Sequence, residues 1–113
     1  MLNKFRKNKN IFGILGIGVS GLAAFKFLKK KKAEIYIYDD NKLPNSDLKE
    51  CWKHYSKWNW TNIEKVVISP GIPISGKNTH PVIYLANSHK IRLINEIEFL
   101  FYKKPKANII GIT

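Results

Sequence analysis

Ile11-Phe12-Gly13-Ile14-Leu15-Gly16-Ile17-Gly18-Val19-Ser20-Gly21 governs how the rest of the chain is read. Ile11–Leu15 is a short apolar run ending in glycines, the pattern of a buried parallel strand. From Val19 to about Lys31 the apolar residues Val19, Leu22, Ala23, Phe25, Phe27 and Leu28 recur at roughly helical spacing. Lysines crowd the end of that segment, where the negative pole of a helix dipole favours them. Between strand and helix lies Gly16-Ile17-Gly18-Val19-Ser20-Gly21, a G-x-G-x-x-G. In such a loop the first glycine permits the tight turn and the second lets backbone come close to a diphosphate. The third lets helix pack on strand. The helix N-terminus then presents free N–H groups and partial positive charge to the anion.

Working outward, Glu34–Tyr38 (EIYIY) reads as a second strand, closed by Asp39-Asp40. Asp39 follows the glycine loop by about 20 residues, the place of an acid that grips a ribose hydroxyl. Lys65–Ser69 (KVVIS) is a third strand and runs into Pro70-Gly71. A helix is expected to start near Pro81, since proline suits a first turn, and to end near His89. Ile91–Ile94 gives a further strand. Asn95 and Glu98 have the spacing of a capping box for a helix over Glu96–Tyr102, and Asn108–Thr113 is a last apolar strand. Asp47–His54 is expected to form a short helix capped by Ser46 or Asp47. Strands alternating with helices in this way predict a single α/β domain, a Rossmann-like parallel sheet flanked by helices. In open sheets of that class ligands sit outside the carboxyl ends of the strands. Ser69-Pro70-Gly71 belongs there, with Gly71 allowing backbone approach to the same diphosphate.

Composition narrows the function. The 113 residues suffice for one hydrophobic core and not for two; 44% are hydrophobic and 25% charged, an ordinary globular balance. Cys51 is alone, which excludes an internal disulfide and fits a reducing compartment. The net charge of +12 suggests a phosphate-backbone partner. Its make-up argues otherwise, because 18 of the 20 basic residues are lysine and only Arg6 and Arg92 are arginine. Lys, Ile and Asn supply 45 residues, and all three use A/T-rich codons. Drift in an A/T-biased genome explains that, and the bidentate recognition for which arginine is preferred is nearly absent. No nucleic-acid partner is therefore expected.

The N-terminus imitates a signal peptide, with four positive charges in Met1–Asn10 before an apolar stretch from Ile11 to Phe25. Lys26 interrupts that stretch short of the roughly 20 apolar residues a membrane span needs. Its glycines are better explained by the nucleotide loop. Trp52, Trp58 and Trp60 lie among lysines and could stack nucleobases, but the plainer expectation is that they cover a sheet edge. His54, His80 and His89 lack the mutual spacing of metal ligands, and one cysteine does not complete a zinc set. No nucleophile motif is present, and cap chemistry accounts for Glu96 and Glu98. No catalytic centre and no metal site are expected.

Taken in order, I-L-G-I-G-V-S-G-L-A-A at Ile14–Ala24, I-Y-D at Ile37–Asp39, V-V-I-S-P-G-I-P at Val66–Pro73, and I-N-E-I-E-F at Ile94–Phe99 followed by N-I-I-G-I-T resemble the start of the Mur ligases. The S-P-G-I-P and E-I-E-F elements are most similar to the branch that adds D-glutamate. The resemblance implies a cytoplasmic step of peptidoglycan synthesis. ATP phosphorylates the carboxylate of UDP-N-acetylmuramoyl-L-alanine, and D-glutamate attacks the acyl phosphate. It implies that the UDP moiety is held by Gly16, Gly18, Val19, Ser20 and Gly21, by Asp39, Asp40 and Asn41 at the uridine end, and by Ser69, Pro70 and Gly71. Some members carry a basic residue where this chain has Asn41.

It further implies that residues 1–106 form the N-terminal domain and 107–113 the first strand of a central ATP-binding domain. The family's G-I-T leads into a phosphate loop, which is not seen in these 113 residues. The expectation is a part that binds no cofactor itself, ATP and Mg2+ serving the full-length enzyme, and that does not complete the reaction alone. A standalone NAD-binding regulatory module shares the glycine loop and Asp39 but leaves S-P-G-I-P unexplained.

Overall fold

A computed structural model describes residues 11–95 and Phe99. Its centre is a four-stranded, wholly parallel sheet: β1 (Ile11–Leu15), β2 (Glu34–Tyr38), β3 (Ile63–Ile68) and β4 (Arg92–Asn95), in the order β2-β1-β3-β4. Helix α1 (Val19–Lys30) joins β1 to β2, and α2 (Pro81–Ser88) joins β3 to β4. The α/β class and the parallel sheet expected from the sequence are what the chain adopts.

Strand alternation explains the layers, because successive side chains point to opposite faces. Phe12, Ile14, Ile35, Ile37, Val67 and Ile94 share one buried cluster with Ala24, Phe25 and Leu28 of α1. Ile11, Leu15, Val66 and Ile68 face the other way, into a cluster with Val82, Ile83 and Ala86 of α2. Every residue of β1 is buried, as a central strand covered on both faces requires. The apolar stretch Ile11–Phe25 is thus divided between a strand and a helix. Among the described residues no helix is long and apolar enough to cross a membrane.

Four local expectations are corrected. The segment from Asp47 to His54 is not a helix. Ser46–Cys51 is a series of turns closed by i to i−3 bonds, with Leu48 N donating to Asn45 O, Cys51 N to Leu48 O and Trp52 N to Lys49 O. Asn45 caps it, its Oδ1 accepting from Leu48 N at 3.1 Å, in place of Ser46 or Asp47. The physical reason lies on the edge of the sheet. Ile37 N donates to Cys51 O and Lys53 N to Ile37 O, so this backbone is drawn alongside β2 and is not free to propagate a helix. It protects an edge strand that would otherwise expose unpaired groups.

Second, only Trp52 sits at that edge, bridging Ile37. Trp58 and Trp60 are buried in the α2-side cluster, with their indole N–H groups donating to Lys53 O and Tyr55 O. Trp58 lies over Gly13 of the central strand, where an added Cβ would stand 2.5 Å from its ring. Third, β3 begins at Ile63, two residues before Lys65, and ends at Ile68. Fourth, β4 spans Arg92–Asn95, so Asn95 closes a strand. The expected helix from Glu96 to Tyr102, apart from Phe99, and the strand Asn108–Thr113 lie outside the described residues.

Candidate functional site

The strands deliver three loops to one place. Leu15 is level with Tyr38 of β2 and with Ile68 of β3, so Gly16, Asp39 and Ser69 leave the sheet side by side. The ladder continues one step beyond the strands: Gly16 N donates to Tyr38 O at 2.8 Å and Ser69 N to Leu15 O at 3.1 Å. The connection after β1 returns on one side of it and the chain later crosses to the other. The crevice at the carboxyl ends of β1 and β3 is therefore the topological switch point of the sheet. A cleft of about 270 Å³ opens there, lined by Leu15, Gly16, Gly18, Asp39, Asp40, Asn41, Ser69, Gly71 and Ile72.

The three glycines of the loop differ in what surrounds them. Gly16 has φ +103°, which side chains rarely tolerate, and a Cβ there would lie 2.2 Å from Ser69 Oγ. Gly21 is pressed onto the turn, since a Cβ would meet the carbonyl oxygen of Gly16 at 2.0 Å. Gly18 has no atom within 4 Å of such a Cβ, and neither does Gly71. These two glycines keep open space at the mouth of the cleft. Gly18 is the N-cap of α1 and offers no side-chain acceptor, so the first N–H groups of the helix are left for another partner.

Asp39 holds the loop from the β2 side. Its Oδ2 accepts from Ile17 N at 2.9 Å and its Oδ1 from Asn41 N at 2.7 Å. Both carboxylate oxygens thus serve backbone, a positioning task the sequence reading did not include. Asp40 Oδ2 lies 2.6 Å from His80 Nε2. Burial, and then the Asp40 carboxylate, push the neighbouring Tyr55 phenol above its ordinary value of 10.0. Ser69 Oγ is buried with no hydrogen-bond partner among the described residues.

Of the expected site residues, the structure brings Gly16, Gly18, Asp39, Asp40, Asn41, Ser69 and Gly71 together around the cleft. Gly21 lies beneath it, Pro70 is exposed beside it, and Val19 is 90% exposed on the first turn of α1. The Ser20 side chain lies outside what is described. Leu15, Ile72 and His80 were not singled out as site residues. For His80 alone a sequence signal exists, the His-Pro pair at the start of a helix, where the ring serves as the cap.

The lining holds two carboxylates and no lysine, and the N-terminus of α1 adds partial positive charge beside it. That donor set does not suit Mg2+ with ATP: Asp39 is engaged by backbone and Asp40 by His80. Gly71–Asn78 (GIPISGKN) has the phosphate-loop spacing and departs from the pattern at one residue, Asn78 at the hydroxyl position. It is an exposed loop, however, and α2 begins only at Pro81 with Val82 N–H taken by His80, so no free helix end backs it.

The sequence pattern of the Mur ligase MurD-like N-terminal domain matches residues 10–95, the span that builds this sheet and cleft. The chain belongs to that family. Among MurD-like relatives, the UDP-N-acetylmuramoylalanine–D-glutamate ligase of Wolbachia sp. subsp. Brugia malayi (strain TRS) is 33% identical over 99% of this chain and 23% of its own length. The ligase of the same name from Rickettsia felis is 31% identical over 99% of the chain and 24% of its length. That from Bacillus cytotoxicus is 37% identical over 95% and 25%. The chain thus spans about a quarter of the length of these MurD-like ligases. No solved structure matches it.

Proposed function

We propose that the cleft binds the UDP moiety of UDP-N-acetylmuramoyl-L-alanine, as the substrate-holding domain of an ATP-dependent, D-glutamate-adding ligase of cytoplasmic peptidoglycan synthesis. The observation that carries this reading is the convergence of the glycine loop, Asp39–Asn41 and Ser69–Gly71 at the switch point. Gly18 and Gly71 leave room there for a ligand against backbone. The diphosphate is assigned to the N-terminus of α1, where Gly18, Val19, Ser20 and Gly21 have N–H groups without intrahelical acceptors. The nucleoside is assigned to the Asp39–Asn41 side. The relatives' shared name supports the substrate.

Residues 1–106 are read as this domain, with 107–113 leading toward a central one. The chemistry on ATP, Mg2+ and D-glutamate belongs to parts of the ligase outside these 113 residues. By themselves they are expected to release no phosphate from ATP, since neither the cleft nor the Gly71–Asn78 loop has a phosphate-activating set.

Calorimetric titration of the chain with UDP-N-acetylmuramoyl-L-alanine, with NADH in parallel, tests the proposal. Saturable binding of the UDP compound alone is expected. Preference for NADH would replace the reading with a dinucleotide-binding module.

A further inference from the structure

His80 sits at a crossing of contacts that its place in the chain does not foretell. Its backbone N–H donates to Pro73 O at 3.0 Å, which pins the loop after β3. Its Nδ1 accepts the N–H of Val82 at 3.0 Å, capping α2. Its Nε2 lies 2.6 Å from Asp40 Oδ2, on the loop after β2. Because Nδ1 is occupied as an acceptor, the ring proton belongs on Nε2 and is donated to the carboxylate. The ring is only 9% exposed and is braced edge-on by Tyr55, centroids 5.0 Å apart. Tyr55 in turn packs on Tyr38, the last residue of β2.

β2 and β3 are not neighbours in the sheet; β1 lies between them. The two loops that wall the cleft therefore share no ladder with each other, and the Asp40–His80 bond joins them directly. We propose that His80 is a positioning residue: it sets the separation of the Asp40–Asn41 wall from the Ser69–Gly71 wall without lining the cleft itself. In its consequence for affinity this rests on the cleft being the UDP-substrate site. The clamp between the loops does not depend on that reading.

Two variants separate the roles. His80→Asn keeps a good helix cap and the backbone bond to Pro73, but is too short to reach Asp40. Asp40→Ala removes the same bond from the other loop and leaves the cap untouched. Asp40→Asn retains a carbonyl oxygen for Nε2–H and is the conservative control. Hydrogen exchange on the full chain is the first readout. Both disrupting variants are expected to speed exchange in both loops, 40–43 and 71–79, by about tenfold. Asp40→Asn restores it, and β1 is unchanged in all three.

Titration with UDP-N-acetylmuramoyl-L-alanine is the second readout. His80→Asn is expected to lose about tenfold in affinity, Asp40→Ala at least as much, and the double variant no more than Asp40→Ala alone. Unchanged exchange at 40–43 in His80→Asn overturns the clamp, whatever the ligand does. Normal binding in His80→Asn overturns the consequence for affinity, because Asp40 then acts on the ligand only directly. Failure of the unaltered chain to bind the UDP compound defeats the substrate reading, and the exchange result still decides the clamp.

Discussion

Gly16, Gly18 and Gly21 belong to one sequence motif but face different physical constraints, and substitution separates them. Gly16→Ala meets both a positive φ and Ser69 Oγ at 2.2 Å, so a loss of about 1–3 kcal/mol is expected. Gly21→Ala drives a Cβ into a backbone oxygen at 2.0 Å, which has no rotamer to escape into. The expected cost is about 3 kcal/mol or more. Gly18→Ala meets nothing within 4 Å, and stability should stay within about 0.5 kcal/mol. Its affinity for the UDP compound should nevertheless fall, because the methyl group occupies the approach to α1. Thermal unfolding and titration of the three variants check this, and equal destabilisation by all three would refute the division.

Ser69→Ala tests the buried hydroxyl in the same way. Oγ has given up water without gaining a described partner, so its removal should be neutral or stabilise by up to about 1 kcal/mol. A marked loss of stability would show that the hydroxyl is paired. At this scale the motif spacing was informative, because glycine roles follow from local geometry. The bond from Ile17 N to Asp39 was not legible, since it depends on β1 and β2 ending level, whereas that from Asn41 N is a local turn contact.

At the scale of elements, both helices stop in a way the residues conceal. Ala33 N donates to Leu28 O and Ile91 N to Ala86 O, the six-to-one closure of a Schellman turn. The residue in the left-handed position is Lys32, φ 62°, in one case and Lys90, φ 57°, in the other. Glycine usually stands there, and a side chain in that conformation costs about 1 kcal/mol. Lys32→Gly and Lys90→Gly are each expected to raise stability by about that amount, as measured by denaturant unfolding. A loss in both would mean that the lysine stems contribute packing that outweighs the strain.

Lysine in place of glycine also explains why the helix ends were read only to within a residue. Strands β1, β2 and β3 were legible because apolar runs bounded by turn residues need no tertiary information. The Asp47–His54 segment was misread because its helical spacing is local, whereas its pairing with β2 is not. Likewise Trp58 owes its place to Gly13, 45 positions earlier in the chain.

Across the whole molecule the charge imbalance is the dominant long-range term. Twenty basic residues face eight acids, and Lys26, Lys29, Lys30, Lys31 and Lys32 lie exposed together at the end of α1. Two of these ammonium groups rest over rings of their own helix, Lys29 on Phe25 and Lys31 on Phe27. Such contacts are worth about 0.5–1 kcal/mol at exposed sites, and they do not cancel repulsion between neighbours. A chain at +12 is compressed against its own field when it folds. Screening shortens the reach of that field from about 30 Å at 0.01 M salt to about 3 Å at 1 M. The melting temperature should therefore rise with sodium chloride, most steeply below about 0.15 M, where screening changes fastest. Lys30→Glu should flatten the rise, because it relieves the densest cluster. If stability instead falls with salt, attractive ion pairs outweigh the net repulsion. The lysines would then be structural partners, which drift in base composition would not produce.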